Sequence, residues 1–358
     1  LEKFNLCRFS YFCNYGLNVR ERQRAEINPM QYGTIVHYIL ERFFGEYTKE
    51  EYLSLEEDKF QKIVCAYLAE YAVKYFGEEQ LESKSFTYHL KTILDNVMYL
   101  MKHIMEELSQ SEFFVADCEL KIGEDIPSYT IVLPDGHKIA VCGSVDRVDI
   151  MQRADITYLR IIDYKTGTKQ FKLSDILYGI NLQMLLYLHS IEASGGDKYG
   201  EIVPAGILYM PATVPYISSD SLKSIDKLPD ELNKKLKMNG LLLKDTEIIH
   251  GMDKTDAATY IPVKIKAGEP VSSTSLATLA EFGKIFKKVD MLIAEMGKNI
   301  YNGNIEAKPL KGGHDSCEYC PYDSVCAYRQ SNPITCFSVD NKTVIEEITN
   351  EINGKEEE

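Results

Sequence analysis

Apolar residues in the first third of the chain recur at helical spacing. Between residues 33 and 44 they fall on one face of a 3.6-residue repeat, which predicts a helix with Ile35, Val36, Ile39, Leu40 and Phe43 on its apolar side. Residues 48–111 predict two or three further helices, and the polar stretch 83–86 is the expected break between them.

The apolar pattern changes to that of strands near residue 113. Strands are predicted over 113–122, 128–133, 138–150 and 158–165, with a turn at 134–136. A helix follows near residue 183, and the apolar stretch 205–211 is typical of a short buried strand. Helices, four strands, a helix and a fifth strand in this order indicate an α/β fold, in which helices flank a mixed central sheet.

The patterns divide the chain into five segments. These are a helical N-terminal segment (1–112), a core of strands (113–211), a polar insertion of unknown role (212–272), a C-terminal helix with a cysteine group (273–338) and an acidic tail (339–358). The C-terminal helix is expected to begin at Ser273 or Ser275. Because the sequence starts without Met and in the middle of a pattern, we expect a domain cut from a longer protein.

The net charge of the chain argues against one kind of nucleic-acid binding. At 358 residues and a formal net charge of −14, it is unlike a freestanding general DNA-binding protein, which presents a basic surface. Local basic residues could still line the path of a strand: Arg8, Arg20, Arg22, Arg24, Lys165, Lys169 and Lys172. No apolar run reaches ~18 residues and no signal-peptide layout is present, so we expect a cytoplasmic protein without a membrane span.

Nine cysteines in such a chain favour a reducing compartment and metal binding over disulfides. Cys317, Cys320 and Cys326 follow the spacing C-x₂-C-x₅-C, which fits zinc or an iron–sulfur cluster better than core packing. A fourth ligand is not close in the sequence, and the candidates are Cys7, Cys13 and Cys336. The cysteines in apolar segments are expected to be ordinary core residues: Cys65, Cys118 and Cys142.

Candidate catalytic chemistry lies at the end of the strand 158–165. Asp163 and Lys165 are two residues apart, so their side chains leave the same face of an extended strand. If this strand pairs with 138–150 as a hairpin, Asp146 comes beside Asp163, and the carboxylates could hold Mg²⁺ or Mn²⁺. Alternation directs Arg147 and Asp149 to the opposite face, which argues against Asp149 as a ligand and favours a supporting or salt-bridge role for Arg147.

The helix that follows carries Gln183 and Tyr187 at positions i and i+4, on one face. Taken singly, each of these residues is explained by a hairpin with solvated charges followed by an amphipathic helix. The occurrence of all of these residues together is harder to explain by a hairpin and an amphipathic helix alone.

The patterns GxxDRxD, DYK and QxxxY occur in this order, preceded by Gly33-x-x-x-His37, and resemble the RecB-like branch of the PD-(D/E)XK nuclease superfamily. The resemblance implies a Mg²⁺- or Mn²⁺-dependent DNA exonuclease. The metal ligands that it implies are His37, Asp146, Asp163 and the carbonyl of Tyr164. It also implies that Lys165 orients the attacking water, that Gln183 and Tyr187 position the lysine, the water or a DNA phosphate, and that Glu119 holds a second metal or a metal-bound water. An exposed strand glutamate is the alternative for Glu119.

The chain resembles in particular the nuclease domains of AddB-type proteins of bacterial AddAB helicase–nucleases, over nearly its whole length. That family binds a 4Fe–4S cluster with one cysteine upstream of the core and three downstream, which implies Cys7 with Cys317, Cys320 and Cys326. Arg8 replaces the family's proline, and zinc remains the alternative metal. The implied substrate is single-stranded DNA ends during double-strand-break repair. The implied partner is the helicase–nuclease A subunit, with ATP bound elsewhere in the complex.

Two other functions are compatible with these motifs. One is a stand-alone or CRISPR-associated RecB-like exonuclease. The other is a catalytically silent nuclease fold that binds DNA or a partner, against which the intact Asp146, Asp163 and Lys165 argue. The sequence does not indicate strand polarity or product length.

Overall fold

A computed structural model describes residues 2–20, 29–77, 82–167, 170–214, 228–272, 274–326, 328 and 333–356. Arg22, Arg24, Lys169 and Ser273, named above, lie outside the described residues. The helices are α1 (Glu2–Leu6), α2 (Arg8–Tyr11), α3 (Pro29–Glu46), α4 (Lys49–Leu53), α5 (Glu57–Phe76), α6 (Lys84–Ser109), α7 (Gln183–Ser194), α8 (Gly196–Tyr199), α9 (Leu228–Leu236), α10 (Thr246–Met252), α11 (Leu279–Tyr301) and α12 (Asn341–Glu356). The strands are β1 (Phe114–Ile122), β2 (Tyr129–Val132), β3 (Lys138–Val141), β4 (Gly143–Arg153), β5 (Ile156–Lys165), β6 (Glu201–Pro211), β7 (Asn239–Leu243), β8 (Lys264–Lys266), β9 (Glu269–Val271), β10 (Leu276–Ala277), β11 (Leu310–Gly312) and β12 (Ile334–Cys336).

Six strands form one mixed sheet in the order β1-β4-β5-β6-β7-β10. The pairs β1–β4 and β4–β5 are antiparallel, whereas β5 and β6 are parallel. A parallel pair needs a crossover, and α7 supplies it by packing its buried residues Leu185, Leu188 and Ile191 in the core. Strands β5 and β6 are buried along most of their length, as expected for central strands covered on both faces. The predicted mixed sheet flanked by helices is confirmed.

The N-terminal helices follow the predicted pattern. Helix α3 extends the predicted helix 33–44 at both ends, and α4, α5 and α6 account for the helices expected over 48–111. Helix α6 begins directly after Ser83, at the predicted break. The apolar face of α3 packs against α5 and β1, so one side of this helix is directed towards the central sheet.

The single strand expected over 138–150 is two strands. Residues 138–141 form β3, which pairs with β2 in a separate two-stranded sheet, and β4 begins at Gly143. A Cβ atom at Gly143 would lie 2.3 Å from the hydroxyl oxygen of Tyr187. The chain therefore changes sheets at the point where a glycine lets the backbone pass close to α7.

The segment 212–272, expected as an insertion, contributes to the central sheet. Strand β7, within this segment, pairs antiparallel with β6, and β10 from the following segment adds to β7 in parallel. A Cβ atom at Gly240 would lie 2.0 Å from the carbonyl oxygen of Ile207, so the glycine permits this close pairing. The polar composition around β7 concealed a buried strand of five residues. Residues 215–227 lie outside the described part of the chain.

The C-terminal elements differ from the prediction in two respects. Helix α11 begins at Leu279 rather than Ser273 or Ser275, because residues 276–277 pair as β10 and Thr278 with Glu281 forms a capping box. The acidic tail is not peripheral, since residues 341–356 form α12, which packs against α11. Val344 and Ile348 of α12 are fully buried.

None of the helices in the described part of the chain combines the length and the hydrophobicity needed to cross a membrane.

Candidate active site

Three carboxylates lie side by side on adjacent strands of the central sheet. The register that pairs Leu120 with Val145 and Arg147 with Ile162, continued by one residue, aligns Glu119 of β1, Asp146 of β4 and Asp163 of β5. Their side chains therefore leave the same face of the sheet. The predicted proximity of Asp146 and Asp163 through a β4–β5 hairpin is confirmed.

Helix α3 places His37 over this row of carboxylates. The Nδ1 atom of His37 lies 2.9 Å from Oε1 of Glu119, and its Nε2 atom lies 3.5 Å from Oδ2 of Asp146. Candidate ligand atoms of His37, Glu119 and Asp146 all fall within 4.8 Å of one another, and no other triplet in the described residues does so. Glu119, for which an exposed strand position was the alternative, is therefore part of this group.

Glu119 adopts a backbone conformation that is unusual for a strand residue. Its φ angle is 50°, in the left-handed region that disfavours residues with a side chain. Both carboxylate oxygens are bound, Oε1 by His37 and Oε2 by the hydroxyl of Ser144, which donates a hydrogen bond of 2.8 Å. Backbone strain of this kind, held by side-chain contacts, concentrates at functional sites.

The electrostatics of the group favour a cation. Burial, followed by the neighbouring charge of Asp163, raises the pKa of Asp146 well above its usual range. Burial by itself lowers the pKa of His37, but the hydrogen bond with Glu119 and the charge of Asp146 raise it overall. The bond with His37 lowers the pKa of Glu119. A divalent cation would offset the negative charge that these residues concentrate.

Lys165 and Tyr164 fix the positions of the two aspartates. The ammonium of Lys165 lies 2.8 Å from Oδ1 and 2.6 Å from Oδ2 of Asp163. The backbone N–H of Tyr164 donates to Oδ2 of Asp146 at 3.0 Å. Two of the metal ligands implied by the resemblance, His37 and Asp146, lie in the group with Glu119. A third, Asp163, is bound by Lys165.

Gln183 and Tyr187 lie together on the first turns of α7, as their spacing predicts. Burial raises the pKa of the Tyr187 hydroxyl, and the neighbouring Gln183 side chain opposes this effect. Tyr187 lies against Gly143, three residues before Asp146 on β4. The first turns of α7 therefore lie beside the strand that carries Asp146.

Four charged side chains form a fully buried cluster on the other face of β4. Arg147 binds Asp149 through Nε at 2.8 Å and Glu107 through Nη2 at 3.1 Å, which confirms its expected salt-bridge role. Arg160 of β5 binds the same two acids at 2.9 and 2.6 Å. The cluster joins α6, β4 and β5 beneath the site. Asp149 is accordingly bound by two arginines on the face opposite Asp146.

Sequence reasoning did not identify Glu107 or Arg160. A signal was present, because Arg160 interrupts an apolar strand and Glu107 lies beside Ile104 and Leu108 on the apolar face of α6. Charges of both signs at core positions indicate a buried ion-pair cluster.

Cys7, Cys317, Cys320 and Cys326 line one cavity of about 160 Å³, between α2 and the C-terminal loop. In the described residues no three of these thiols have sulfur atoms within 4.8 Å of one another. Cys336 is instead buried in an apolar cluster with Ile180 and Leu310. The core position expected for Cys142 is wrong, because this residue is exposed, while Cys65 and Cys118 are partly buried.

The chain has clear relatives among known proteins. Residues 1–327 match the profile of the PD-(D/E)XK nuclease superfamily. Three similar proteins are named as the B subunits of ATP-dependent helicase/deoxyribonucleases: that of Thermoanaerobacter sp. (34% identity over 92% of this chain and 29% of the relative), that of Ruminiclostridium cellulolyticum (33%, 94% and 30%) and that of Clostridium kluyveri (34%, 100% and 32%). The chain thus spans about a third of the length of the curated relatives that it matches.

Proposed function

Because the chain belongs to the PD-(D/E)XK nuclease superfamily, we propose that it is the metal-dependent DNA exonuclease domain of a larger, AddB-like helicase–nuclease protein. Its substrate is the end of single-stranded DNA, and its role is in the processing of double-strand breaks in the cytoplasm. The names of the similar proteins, which combine helicase and deoxyribonuclease, support this assignment. The observation that carries it is the group formed by His37, Glu119 and Asp146, with Lys165 and Asp163 beside it.

The donor set of this group fits Mg²⁺ or Mn²⁺. Carboxylate oxygens are the ligands that both ions prefer, and an imidazole favours Mn²⁺. His37, Glu119 and Asp146 would hold the ion, and Asp163 and the carbonyl of Tyr164 would be the further ligands. When bound, the ion supplies a Lewis acid for the phosphate and lowers the pKa of the attacking water.

The remaining residues of the site orient the reactants. Lys165, fixed by both oxygens of Asp163, stabilises the negative charge that develops on the phosphate and aligns the attacking water. The N–H of Tyr164 holds Asp146 in place. Gln183 and Tyr187, which lie side by side on α7, position Lys165 or the attacking water from the edge of the site.

We propose that the four-cysteine cavity holds a 4Fe–4S cluster with a structural role. The placement of Cys7, Cys317, Cys320 and Cys326 around a single cavity supports four-thiolate binding, with zinc as the alternative metal. Such a cluster would join residue 7 to residues 317–326 and close a loop that includes the whole sheet.

The partner in this proposal is the helicase–nuclease A subunit, which delivers the single strand, and ATP is bound elsewhere in that complex. The net charge of −14 supports a partner that binds the DNA. A chain so acidic depends on another protein for much of its affinity for DNA.

The test is degradation of end-labelled single-stranded DNA with Mg²⁺ or Mn²⁺ by anaerobically prepared protein. Asp163→Ala should abolish degradation, and Asp155→Ala should not, since Asp155 is exposed in the turn at the other end of the same hairpin. The position of the label gives the polarity. Equal activity in both variants would refute the site, and inactivity of the wild type together with its A subunit would favour a silent binding fold.

A further inference from the structure

A groove of about 500 Å³ opens beside the candidate active site, and none of the ligands proposed above occupies it. Its walls come from α1, the turn after α2, β3, α7 and α11. They are largely apolar and include Ile139, Val141, Leu182, Leu186 and Ile293. The groove also reaches Gln183 and Tyr187, and Tyr15 lies on its rim.

The apolar walls are fixed by the core. Val141, Leu182, Leu186 and Ile293 are all buried, and Ile139 lies so close to α11 that a Cβ atom at Gly297 would be 2.2 Å from its side chain. A groove with such walls keeps its shape without a ligand. A preformed apolar slot of this size suits a flat ring system better than a phosphate.

Tyr15 is the unusual member of this groove. Its ring is 55% exposed, and its only described aromatic contact is with Tyr11, at 5.0 Å between ring centroids. Exposed aromatic rings beside a strand path serve as platforms on which unpaired bases stack. The arrangement is therefore suited to hold a ring between Tyr15 and the apolar wall.

The polar groups of the groove also fit a nucleobase. The carboxylate of Glu2 accepts a hydrogen bond from the backbone N–H of Gln183 at 3.1 Å. Its negative charge opposes a phosphate at this position, whereas a carboxylate readily accepts hydrogen bonds from the exocyclic amino groups of bases. Lys3, whose ammonium lies 5.8 Å from the centroid of the Tyr322 ring, is the basic residue of the rim.

Tyr187 relates the groove to the proposed site of cleavage. Tyr187 lines the groove and lies against Gly143, which precedes Asp146 by three residues of β4, or roughly 10 Å along an extended strand. We infer that the groove binds an unpaired base of the DNA strand next to the cleaved bond, with Tyr15 stacked on it. This inference rests on the proposed nuclease function and names the part of the substrate that the groove holds.

The chain contains no tryptophan, so Tyr15→Trp introduces a single fluorescent indole at the predicted stacking position. In an Asp163→Ala background, which prevents cleavage, single-stranded oligodeoxycytidylate, whose bases carry exocyclic amino groups, should quench this indole. An oligonucleotide of the same length whose end nucleotides are abasic should quench it much less, because the phosphates remain while the bases are removed. Tyr88→Trp, exposed on α6 away from the groove, is the matched control and should not respond.

Kinetics supply a second measurement. Tyr15→Ala should raise KM for single-stranded DNA by about tenfold and leave kcat within about twofold, and Tyr15→Phe should retain the wild-type KM. Quenching that is equal at Tyr15 and Tyr88, or unchanged by abasic ends, would overturn the inference, as would a wild-type KM for Tyr15→Ala. These results are distinguishable from failure of the proposed function, in which wild-type protein with its A subunit degrades no DNA.

Discussion

Lys165 shows how a single residue joins the fold to the proposed chemistry. Its ammonium contacts both oxygens of Asp163, whose carboxylate is nearly buried, while the lysine side chain keeps 30% of its surface exposed. The pair fixes a positive charge at the open side of the site. Since the proposed function directs that charge at a phosphate rather than at a metal, its removal should affect the reaction more than metal binding.

We therefore expect Lys165→Met to lower kcat for single-stranded DNA by about 10²- to 10³-fold. Binding of Mn²⁺, followed by isothermal titration calorimetry, should remain within a few-fold of wild type. Lys121→Met is the matched control on β1, because Lys121 is exposed and its ammonium pairs with a surface glutamate. A kcat close to that of wild type, or complete loss of Mn²⁺ binding, would contradict the assigned role.

Glu119 marks a limit of sequence reasoning at this scale. Its strand and its acidic character were identifiable, and so was its correspondence to an acidic position of the resembling family. Its left-handed backbone and its bonds with His37 and Ser144 were not, because they arise from contacts between segments 82 and 25 residues apart. The alternation of residues along a strand predicts the face of the sheet on which a side chain lies. It does not predict a local change in the backbone angles that redirects the side chain.

At the scale of elements, the buried cluster of Arg147, Asp149, Arg160 and Glu107 locks α6 to β4 and β5. Two cations and two anions balance each other, and all four side chains are fully buried. Burying charges is costly, so such a cluster is stable only while every member keeps its partners. Because Asp146 directly precedes Arg147 on β4, and Asp163 lies on the same strand as Arg160, the cluster supports the strands that carry both aspartates.

Arg147→Met should therefore lower the free energy of unfolding by about 3–5 kcal/mol, because it leaves two buried acids with a single counter-charge. Arg153→Met, on the exposed end of the same strand, should change it by less than about 1 kcal/mol. Urea denaturation of both variants checks this. A loss of under about 1 kcal/mol for Arg147→Met would show that the cluster adds no such constraint.

His189 connects α7 to β2 and α11. Its ring lies 3.3 Å from Asp290, 3.3 Å from Glu192 and 3.1 Å from the Tyr129 hydroxyl, and it stacks on Phe286. Burial alone lowers the pKa of His189, but the hydrogen bonds with Asp290 and Glu192 raise it from 6.5 to about 9. The folded protein thus favours the protonated ring.

Because the folded-state pKa is the higher one, this contribution to stability is complete below about pH 6.5 and is lost as the pH rises through about 9. We expect the free energy of unfolding to fall by on the order of 2 kcal/mol over that interval. His189→Gln should flatten this part of the profile, and His137→Gln, an exposed histidine, should keep it. An unchanged slope in His189→Gln would refute the assignment.

The helices and strands that could be predicted are those whose formation depends on neighbouring residues in the sequence. The periodicity of α3 to α6 and the alternation of β4 and β5 are properties of consecutive residues, so both were found. Strand β7 was missed because its five residues are surrounded by polar sequence and owe their burial to β6. The start of α11 was misplaced because residues 276–277 are held in a strand by β7.

At the scale of the whole molecule, the N-terminal segment meets the cysteine loop near the other end of the chain. Tyr322 donates a hydrogen bond of 2.7 Å to the carbonyl oxygen of Val19, and Cys7 shares a cavity with the cysteines of residues 317–326. Asn5 donates to the carbonyl oxygen of Gly179, just before α7. The N-terminal segment is therefore held between the cysteine loop and the helix that carries Gln183 and Tyr187.

Cys7→Ala should abolish the visible absorption of the proposed cluster and lower the iron content of anaerobically purified protein. If the cluster closes the loop between residues 7 and 317, its loss should also destabilise the fold by about 5 kcal/mol on chain-entropy grounds. Cys336→Ala, which alters a cysteine buried in an apolar cluster, should retain full iron content. Bound zinc in place of iron in the wild type would contradict the cluster.

The contact between these distant segments also determines when folding can be completed during synthesis. Within this domain, residues 2–20 leave the ribosome before the other elements, yet the loop 317–326 against which they pack emerges roughly 300 residues later, about 15 s or more at ordinary translation rates. During that interval the residues that contact Cys7 and Val19 in the folded protein have not yet been synthesised. The nuclease fold is therefore completed by a late-made segment, and a nascent chain cut short before residue 317 has its carboxylates but lacks the closure that holds α1 beside them.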